Sequence, residues 1–249
     1  MITAAATKSI DPGEISRFSA MAEEWWDANG PMRPLHRLNP TRLAYVRDRL
    51  AGHFGRDADG IAPLAGLAVL DIGCGAGLVS EPLCRMGAAV TGIDPSPEIV
   101  AVARLHAEDG DLAIDYRATT AEALAAAGEH FDAVLILEVV EHVNDVPAFV
   151  ATVASLVRPG GIVVASTINR TLKAFALAIV GAEYVLRWLP PGTHSYEKLV
   201  TPGELTTAFA DAGLDPGDET GVMYVPLADR WRLGRDMDVN YMMTATRPA

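Results

Sequence analysis

Short apolar runs alternate with helical stretches through the middle of the chain, and this alternation is its main pattern. The apolar runs cover 67–72, 89–93, 112–116, 131–137 and 162–168. The segments between them, such as 98–106 and 148–157, carry apolar residues at helical spacing. Strands that are apolar on both faces and joined by helical crossovers are typical of parallel sheets covered by helices. The pattern predicts an α/β fold with a doubly wound, mostly parallel, seven-stranded sheet.

Two amphipathic helices are predicted ahead of the sheet. The sequence Asp-Pro-Gly-Glu at 11–14 supplies an N-cap, a first-turn proline and a capping-box glutamate. Apolar residues follow at helical spacing as far as Trp25 and Trp26. A second cap at Asn39 and Pro40 is predicted to open another helix with one apolar face.

The last part of the chain is predicted to close the sheet. A helix opened by Thr-Pro-Gly-Glu at 201–204 is followed by strand-like runs at 221–225 and 239–246. No convincing helix separates these two runs, so they are expected to pair in antiparallel fashion at the sheet edge. We expect one domain over 1–249, divided into N-terminal helices at about 12–55, a core at about 66–169, a helical insert at about 170–200 and the sheet edge at about 201–247.

The strongest local motif is a glycine turn after the first apolar run. The sequence Asp71-Ile-Gly-Cys-Gly-Ala-Gly77 leads into a helix, and Asp94 ends the next run. Without side chains at Gly73 and Gly75 a ligand can approach the backbone closely, and Asp94 is placed to accept both hydroxyls of a ribose. The third glycine comes one residue too early for a dinucleotide, and Asp71 opposes a diphosphate but suits an amino-acid ammonium group. The motif predicts a site for adenosine joined to methionine, with a tight turn made for packing as the alternative.

Composition excludes several other classes of protein. The 249 residues are 50% hydrophobic, which is far from the composition of disordered chains. The balance of 20 Lys+Arg against 32 Asp+Glu gives a net charge of −12, so no nucleic-acid partner is expected. The two cysteines form no CxxC pair, which favours a reducing cytoplasm over a disulfide scaffold. No signal peptide or membrane-spanning run is expected.

The glycine turn with Asp94 resembles that of the class I S-adenosylmethionine-dependent methyltransferases, which have a Rossmann-like fold. Over about 14–246 the chain resembles one family among them, the ubiquinone biosynthesis O-methyltransferases. The segments that carry this closer resemblance are 18–27, 34–43, 138–143, 166–170, 180–184, 191–194 and 238–241. The chain departs from the family's usual pattern at Ala76 and Leu137.

The resemblance implies an activity and a set of cofactor residues. The methyl donor would be S-adenosylmethionine, held by Arg42, Gly73, Asp94 and Leu137. The reactions would be O-methylations of a polyprenyl catechol, 2-polyprenyl-6-hydroxyphenol, and of 3-demethylubiquinol. From spacing alone, Arg42 also fits a solvated helix arginine and Leu137 a core residue.

An acidic motif follows the fourth apolar run. If a helix begins there, Glu138, Glu141 and His142 share one face and suit a hard divalent cation. The resemblance suggests magnesium. The alternative is that both acids face a helix N-terminus while His142 is hydrogen-bonded locally. A phenol has a pKa of about 10, so either contact with a cation lowers that pKa or a base removes the proton, with His142 and His194 as the candidate bases.

The insert at 170–200 is predicted to form an amphipathic helix with basic residues in an otherwise acidic chain. The simpler interpretation is that the apolar face of this helix packs on the core of the protein. The alternative is contact with a membrane surface, which the polyprenyl substrates of the resembling family favour. Location at the inner face of the cytoplasmic membrane is therefore expected, with a possible complex of ubiquinone-biosynthesis proteins.

Two other functions remain open on the sequence. One is an NAD-dependent oxidoreductase, which the early third glycine disfavours. The other is a non-catalytic nucleoside-binding subunit of a membrane-associated complex, which would bind the cofactor without turnover.

Overall fold

The structure is a computed structural model that describes residues 12–19, 24–30, 32–176, 196–225 and 228–249. In these parts of the chain the helices are α1 (Pro12–Ser19), α2 (Arg33–His53), α3 (Ser80–Arg85), α4 (Pro97–Asp109), α5 (Ala121–Ala126), α6 (Val146–Leu156), α7 (Leu172–Ala174) and α8 (Pro202–Asp211). The strands are β1 (Ala68–Ile72), β2 (Ala89–Asp94), β3 (Asp115–Ala118), β4 (Phe131–Leu137), β5 (Val157–Ile168), β6 (Asp215–Val225), β7 (Arg230–Gly234) and β8 (Asn240–Thr246).

The strands form one mixed sheet in the order β3-β2-β1-β4-β5-β8-β6-β7. The first five strands are parallel, and β8, β6 and β7 extend the sheet in antiparallel fashion. The predicted α/β fold with a mostly parallel core is confirmed, but the described part of the sheet has eight strands instead of seven. The additional strand is β7, an edge strand that pairs with β6 and has no buried residue. Its sequence, Arg-Trp-Arg-Leu-Gly, alternates polar and apolar residues, but the run is short and carries two arginines, as is common at the edge of a sheet.

Alternating residues of the central strands face the two sides of the sheet. Leu70 and Val134 pack with α5, α6 and α8, whereas Val69 and Leu135 pack with α2 and α3. Because both faces are covered, the parallel strands read as continuous apolar runs in the sequence. This packing confirms the prediction of a sheet covered by helices on both sides.

The helix α2 begins earlier than the sequence predicts. It starts at Arg33 and contains Pro40 in its interior, so the predicted cap at Asn39 is wrong. The Asn39 side-chain amide donates to the Leu78 carbonyl (2.6 Å), and its oxygen accepts a hydrogen bond from Arg42. An interior proline costs about 3 kcal/mol in a helix, and we attribute its tolerance here to the burial of the apolar face of α2.

The helix predicted to reach Trp25 and Trp26 does not include them. In the described residues α1 covers Pro12–Ser19, and neither tryptophan is helical. They belong to a turn within 24–30 instead, and Trp25 is buried there. Among the described residues, no helix is long and apolar enough to cross a membrane.

Candidate active site

The carboxyl ends of three neighbouring strands meet at one edge of the sheet. In the parallel register Ile72 lies opposite Ile93 of β2 on one side and Ile136 of β4 on the other. The chain runs from β1 outward to β2 and later returns to place β4 on the opposite side of β1. Open α/β sheets bind ligands in the crevice that such a change of direction creates. The glycine turn, Asp94 and Glu138 all follow these strand ends.

Hydrogen bonds of the backbone hold the glycine turn against β2. The N–H groups of Gly73 and Cys74 both donate to the Ile93 carbonyl, at 2.8 and 3.0 Å. The N–H of Gly77 donates to the Cys74 carbonyl at 3.0 Å. The turn is therefore a fixed feature of the crevice wall.

The glycines of the turn are required by backbone conformation and by close packing. Gly73 and Gly75 have φ of +70° and +54°, a region that side chains disfavour. A Cβ at Gly73 would lie 2.7 Å from the Val139 Cγ2, and a Cβ at Gly75 would lie 2.3 Å from the Trp25 Cζ3. The alternative interpretation of a tight packed turn therefore also accounts for these glycines, and a ligand role needs the neighbouring carboxylates.

Asp94 joins the glycine turn to the start of α4. Its Oδ2 accepts from the Gly75 N–H (3.3 Å), and its Oδ1 accepts from the Ser96 N–H (2.9 Å). Burial raises the pKa of Asp94 from 3.8 to about 6, against the lowering effect of these two hydrogen bonds. Each carboxylate oxygen has further acceptor capacity, so the group can also receive two hydroxyls. This is the arrangement expected of a ribose acceptor.

Asp71 lies beneath the turn and is only 2% exposed. Its Oδ2 accepts a hydrogen bond of 2.6 Å from the Ser80 hydroxyl at the start of α3. Burial is the largest cause of the rise in the pKa of Asp71 from 3.8 to about 6, and Ser80 and Arg42 oppose that rise. A cationic ligand group nearby would favour the ionised carboxylate.

Arg42 is buried, which contradicts the interpretation of a solvated helix arginine. It is 4% exposed, and its Nη2 donates to the Asn39 Oδ1 at 3.2 Å. Its Nη1 lies 4.0 Å from the Glu138 Oε1, while burial lowers its pKa against the pull of Glu138, Asp71 and Glu141. The Arg42 Nε has no hydrogen-bond partner among the described residues. A buried cation with an unused donor suits an anionic ligand group.

The acidic motif does not form the predicted helical face. A single 3-10 turn covers Val140–His142, and Glu138 has a φ of +56°. The Glu138 Oε1 accepts from the Ser166 hydroxyl at 2.6 Å, and the buried Glu141 Oε2 accepts from the Thr167 hydroxyl at 2.7 Å. Burial and the nearby Glu138 raise the pKa of Glu141. The prediction that all three residues share one face of an α-helix is wrong.

The structure does not gather these residues into a metal-binding group. One oxygen of each glutamate bonds a hydroxyl of β5, and each carboxylate keeps its second oxygen. No group of three or more His, Cys, Asp or Glu side chains suited to a metal occurs in the part of the chain that the structure describes. The magnesium prediction for Glu138, Glu141 and His142 gains no support here. The helix N-terminus alternative also fails, because a three-residue turn is too short for it.

The remaining predicted residues are placed as follows. Leu137 ends β4 at the crevice, but its side chain is 7% exposed and packs in the core. His142 is half-buried at the end of the 3-10 turn. His194 lies outside the described residues. The prediction of an amphipathic helix at 170–200 can be compared only at its start, where Leu172 and Phe175 are exposed.

Sequence reasoning missed three partners in the crevice. Ser80, Ser166 and Thr167 each donate to one of its carboxylates, at 2.6 to 2.7 Å. Hydroxyl residues are common everywhere, so nothing local marks them. The available signal was their position, because Ser166 and Thr167 lie near the carboxyl end of a strand predicted to neighbour β4.

Comparison with known proteins gives consistent results. Residues 70–165 match the model of a family described as "Methyltransferase domain". The chain is 59% identical over 240 residues to the ubiquinone biosynthesis O-methyltransferase of Chelativorans sp. (strain BNC1), covering 96% of this chain and 95% of that one. It is 57% identical over 248 residues to the protein of the same name from Rhizobium etli (strain CFN 42), covering 100% of both chains.

The solved structures share the fold at lower identity. The N-methyltransferase NodS from Bradyrhizobium japonicum WM9, in complex with S-adenosyl-L-homocysteine, superimposes with a TM-score of 0.59. It is 18% identical, and the match covers 95% of this chain and 98% of that chain. This likeness extends over almost the whole chain, and it concerns the architecture alone.

Proposed function

Because the chain belongs to the ubiquinone biosynthesis O-methyltransferase family, we propose that it methylates ring hydroxyls of 2-polyprenyl-6-hydroxyphenol and of 3-demethylubiquinol. The protein is an enzyme, an S-adenosylmethionine-dependent O-methyltransferase of ubiquinone biosynthesis. Membership of this family replaces the two other functions, an NAD-dependent oxidoreductase and a non-catalytic nucleoside-binding subunit. The observation that supports the proposal most strongly is the pair of carboxylates at the glycine turn, with Asp71 in the strand that leads into it and Asp94 bonded to the Gly75 N–H within it.

We assign the cofactor contacts to residues that surround the turn. When bound, S-adenosylmethionine supplies a methyl group activated by the sulfonium. Asp94 accepts the ribose hydroxyls, and Asp71 receives the ammonium group directly or through water. Arg42 holds the methionine carboxylate with its unused donor. Gly73, Gly75 and Leu137 are assigned to the same site because the turn and the end of β4 line one crevice, although Val139 and Trp25 fill the space that side chains at the two glycines would take.

The chemistry requires a base beside the acceptor hydroxyl. The phenol proton passes to an imidazole, the oxygen bonds the methyl carbon, and the carbon–sulfur bond breaks to leave S-adenosylhomocysteine. We propose His142 or His194 as this base. The position of His142 supports it, because the 3-10 turn follows β4 at the same sheet edge as Asp94. Alignment of oxygen, carbon and sulfur supplies much of the remaining acceleration.

The first test is a direct assay with a short-chain prenyl catechol. Mass spectrometry after incubation with S-adenosylmethionine is expected to show a product heavier by one methyl group. Replacing the base, by His142→Gln or His194→Gln, should lower kcat by roughly 100-fold or more and abolish the acidic limb of the pH profile. The variant of the histidine that is not the base serves as the matched control. Absence of the methylated product, with and without magnesium, would contradict the proposed substrate.

We also propose that the insert brings the enzyme to the inner face of the membrane, where the polyprenyl substrates reside. Leu172 and Phe175, at its start, are 81% and 42% exposed. The charges give less support, because Arg170 pairs with Glu204 and Lys173 pairs with Asp236 and Asp238. Association with other ubiquinone-biosynthesis proteins there is a further part of this proposal.

Liposome flotation tests the membrane contact. Burying an exposed Leu or Phe side chain is worth about 1.5–3 kcal/mol, so Leu172→Asp with Phe175→Asp should lower the bound fraction at least tenfold. The control is Ile61→Asp with Leu105→Asp, which adds the same charge at apolar side chains that are 102% and 63% exposed. Equal binding of the two double variants would count against the insert as the contact.

A further inference from the structure

The segment 24–30 is fastened over the glycine turn by the side chain of Trp26. Its ring is stacked on that of His106 in α4, with the centroids 3.4 Å apart and the planes 1° from parallel. Its indole N–H donates to the Ala76 carbonyl inside the turn at 3.1 Å. The His106 Nδ1 in turn lies 2.6 Å from the Oε1 of the buried Glu81. These contacts fix the segment to the glycine turn and to α4, which is itself joined to α3 through Glu81.

A second attachment comes from α2. The His36 Nε2 lies 2.8 Å from the backbone carbonyl of Trp25. The backbone is therefore held at Trp25 and at Trp26, which limits the freedom of the Trp25 side chain to leave the turn. The indole of Trp25 lies directly against Gly75, where even a methyl group would overlap with it.

The Trp25 indole also contains an unused donor. The side chain is 9% exposed, and its Nε1 has no hydrogen-bond partner among the described residues. A buried donor without a partner costs about 1–3 kcal/mol, so such groups in native proteins call for an explanation. Here the donor belongs to a ring on Gly75, whose own N–H is bonded to Asp94.

We propose that Trp25 is a binding residue for S-adenosylmethionine. Its ring forms one wall of the pocket at Gly75, and its indole N–H donates to an oxygen of the bound methyl donor. Trp26 is a positioning residue, which holds the segment in place without touching the ligand. This inference rests on the cofactor position given under the proposed function.

A purely structural role gives a different expectation. Trp25 packs in an apolar cluster with Met32, Leu78 and Ile99. If packing were its whole role, phenylalanine would serve nearly as well in the absence and presence of ligand. The Trp25→Phe variant therefore separates the two roles, because it keeps an aromatic ring and removes the donor.

Calorimetric titration with S-adenosylhomocysteine is the test. The Kd of Trp25→Phe is expected to rise about tenfold, which corresponds to the loss of one hydrogen bond. The matched control is Trp231→Phe, a tryptophan in β7 at the far edge of the sheet, whose Kd should stay within about twofold. Intrinsic fluorescence should change on ligand addition in the wild type and in Trp231→Phe, and by less in Trp25→Phe, which keeps Trp26 beside the turn.

The outcomes distinguish this inference from the proposed function. A wild-type chain that fails to bind S-adenosylhomocysteine would overturn both. A wild type that binds, together with a Trp25→Phe variant of equal affinity, would overturn the role of Trp25 alone. If the variant does not fold, hydrogen exchange of the unmodified protein decides: amides in 24–30 should exchange at least tenfold more slowly with saturating ligand, and unchanged exchange would overturn the inference.

Discussion

Asp94→Ala is expected to weaken the binding of S-adenosylhomocysteine by about 100-fold or more. The substitution removes a charged acceptor for two ribose hydroxyls, and hydrogen bonds to charged groups are worth about 1.5–3 kcal/mol each. It also leaves the N–H groups of Gly75 and Ser96 without their acceptor, which loosens the glycine turn. Isothermal titration calorimetry at neutral pH measures the effect.

The control for this experiment is Asp115→Ala. Asp115 is the first residue of β3, so it lies near the amino ends of the parallel strands, away from the crevice at their carboxyl ends. It is paired with Arg117 on the surface. Its removal should leave the Kd within about twofold of the wild-type value. An Asp94→Ala variant that binds within threefold of the wild type would contradict the assignment of Asp94 as the ribose acceptor.

Arg42→Leu is expected to lower the free energy of unfolding by about 3–5 kcal/mol. Arg42 is the cation that faces three carboxyl groups, those of Glu138, Asp71 and Glu141. Breaking a buried charge cluster by removing one partner leaves the other charges uncompensated, and this is far more costly than losing a surface pair. Urea denaturation of the protein without ligand measures the change.

Arg47→Leu is the matched variant on the same helix. Arg47 is more exposed and is paired with its neighbour Asp48. Surface pairs contribute about 0–1 kcal/mol, so this substitution should have a small effect. If Arg42→Leu cost no more than Arg47→Leu, the buried arginine would not be compensating the carboxyl groups of the crevice.

The parts of the fold that were predictable are those with a local signal. The parallel strands are apolar on both faces and therefore form continuous apolar runs in the sequence. The glycine turn requires a backbone conformation that glycine alone adopts easily, so its glycines mark it in the sequence. The start of α2 at Arg33 could not be predicted from the sequence, because Asn39 and Pro40 have the residue types of a helix N-cap and first turn. Their tolerance inside the helix depends on contacts with α3 and the segment before it, which are distant in sequence.

The candidate site divides in the same way. Asp71 and Asp94 were identified from their positions at strand ends, and in the structure Asp71 is buried in the strand before the turn while Asp94 accepts from the Gly75 N–H. Arg42 could not be distinguished from a surface arginine, because the carboxylate that it faces, Glu138, is almost one hundred residues away in the sequence. The arrangement of the acidic motif was mispredicted, because the hydroxyls of β5 hold each glutamate separately and the spacing alone shows nothing of them.

The raised pKa of Asp71 has a consequence for the lifetime of the protein. As pH rises from 3.8 to about 6 the unfolded chain releases this proton more readily than the folded chain, so stability falls across that interval. At neutral pH the ionised, buried group costs the fold about 3 kcal/mol. A ligand ammonium group beside it would restore that free energy, because the ligand binds the folded form alone. Saturation with the methyl donor would then raise the free energy of unfolding and slow the proteolysis of the purified enzyme.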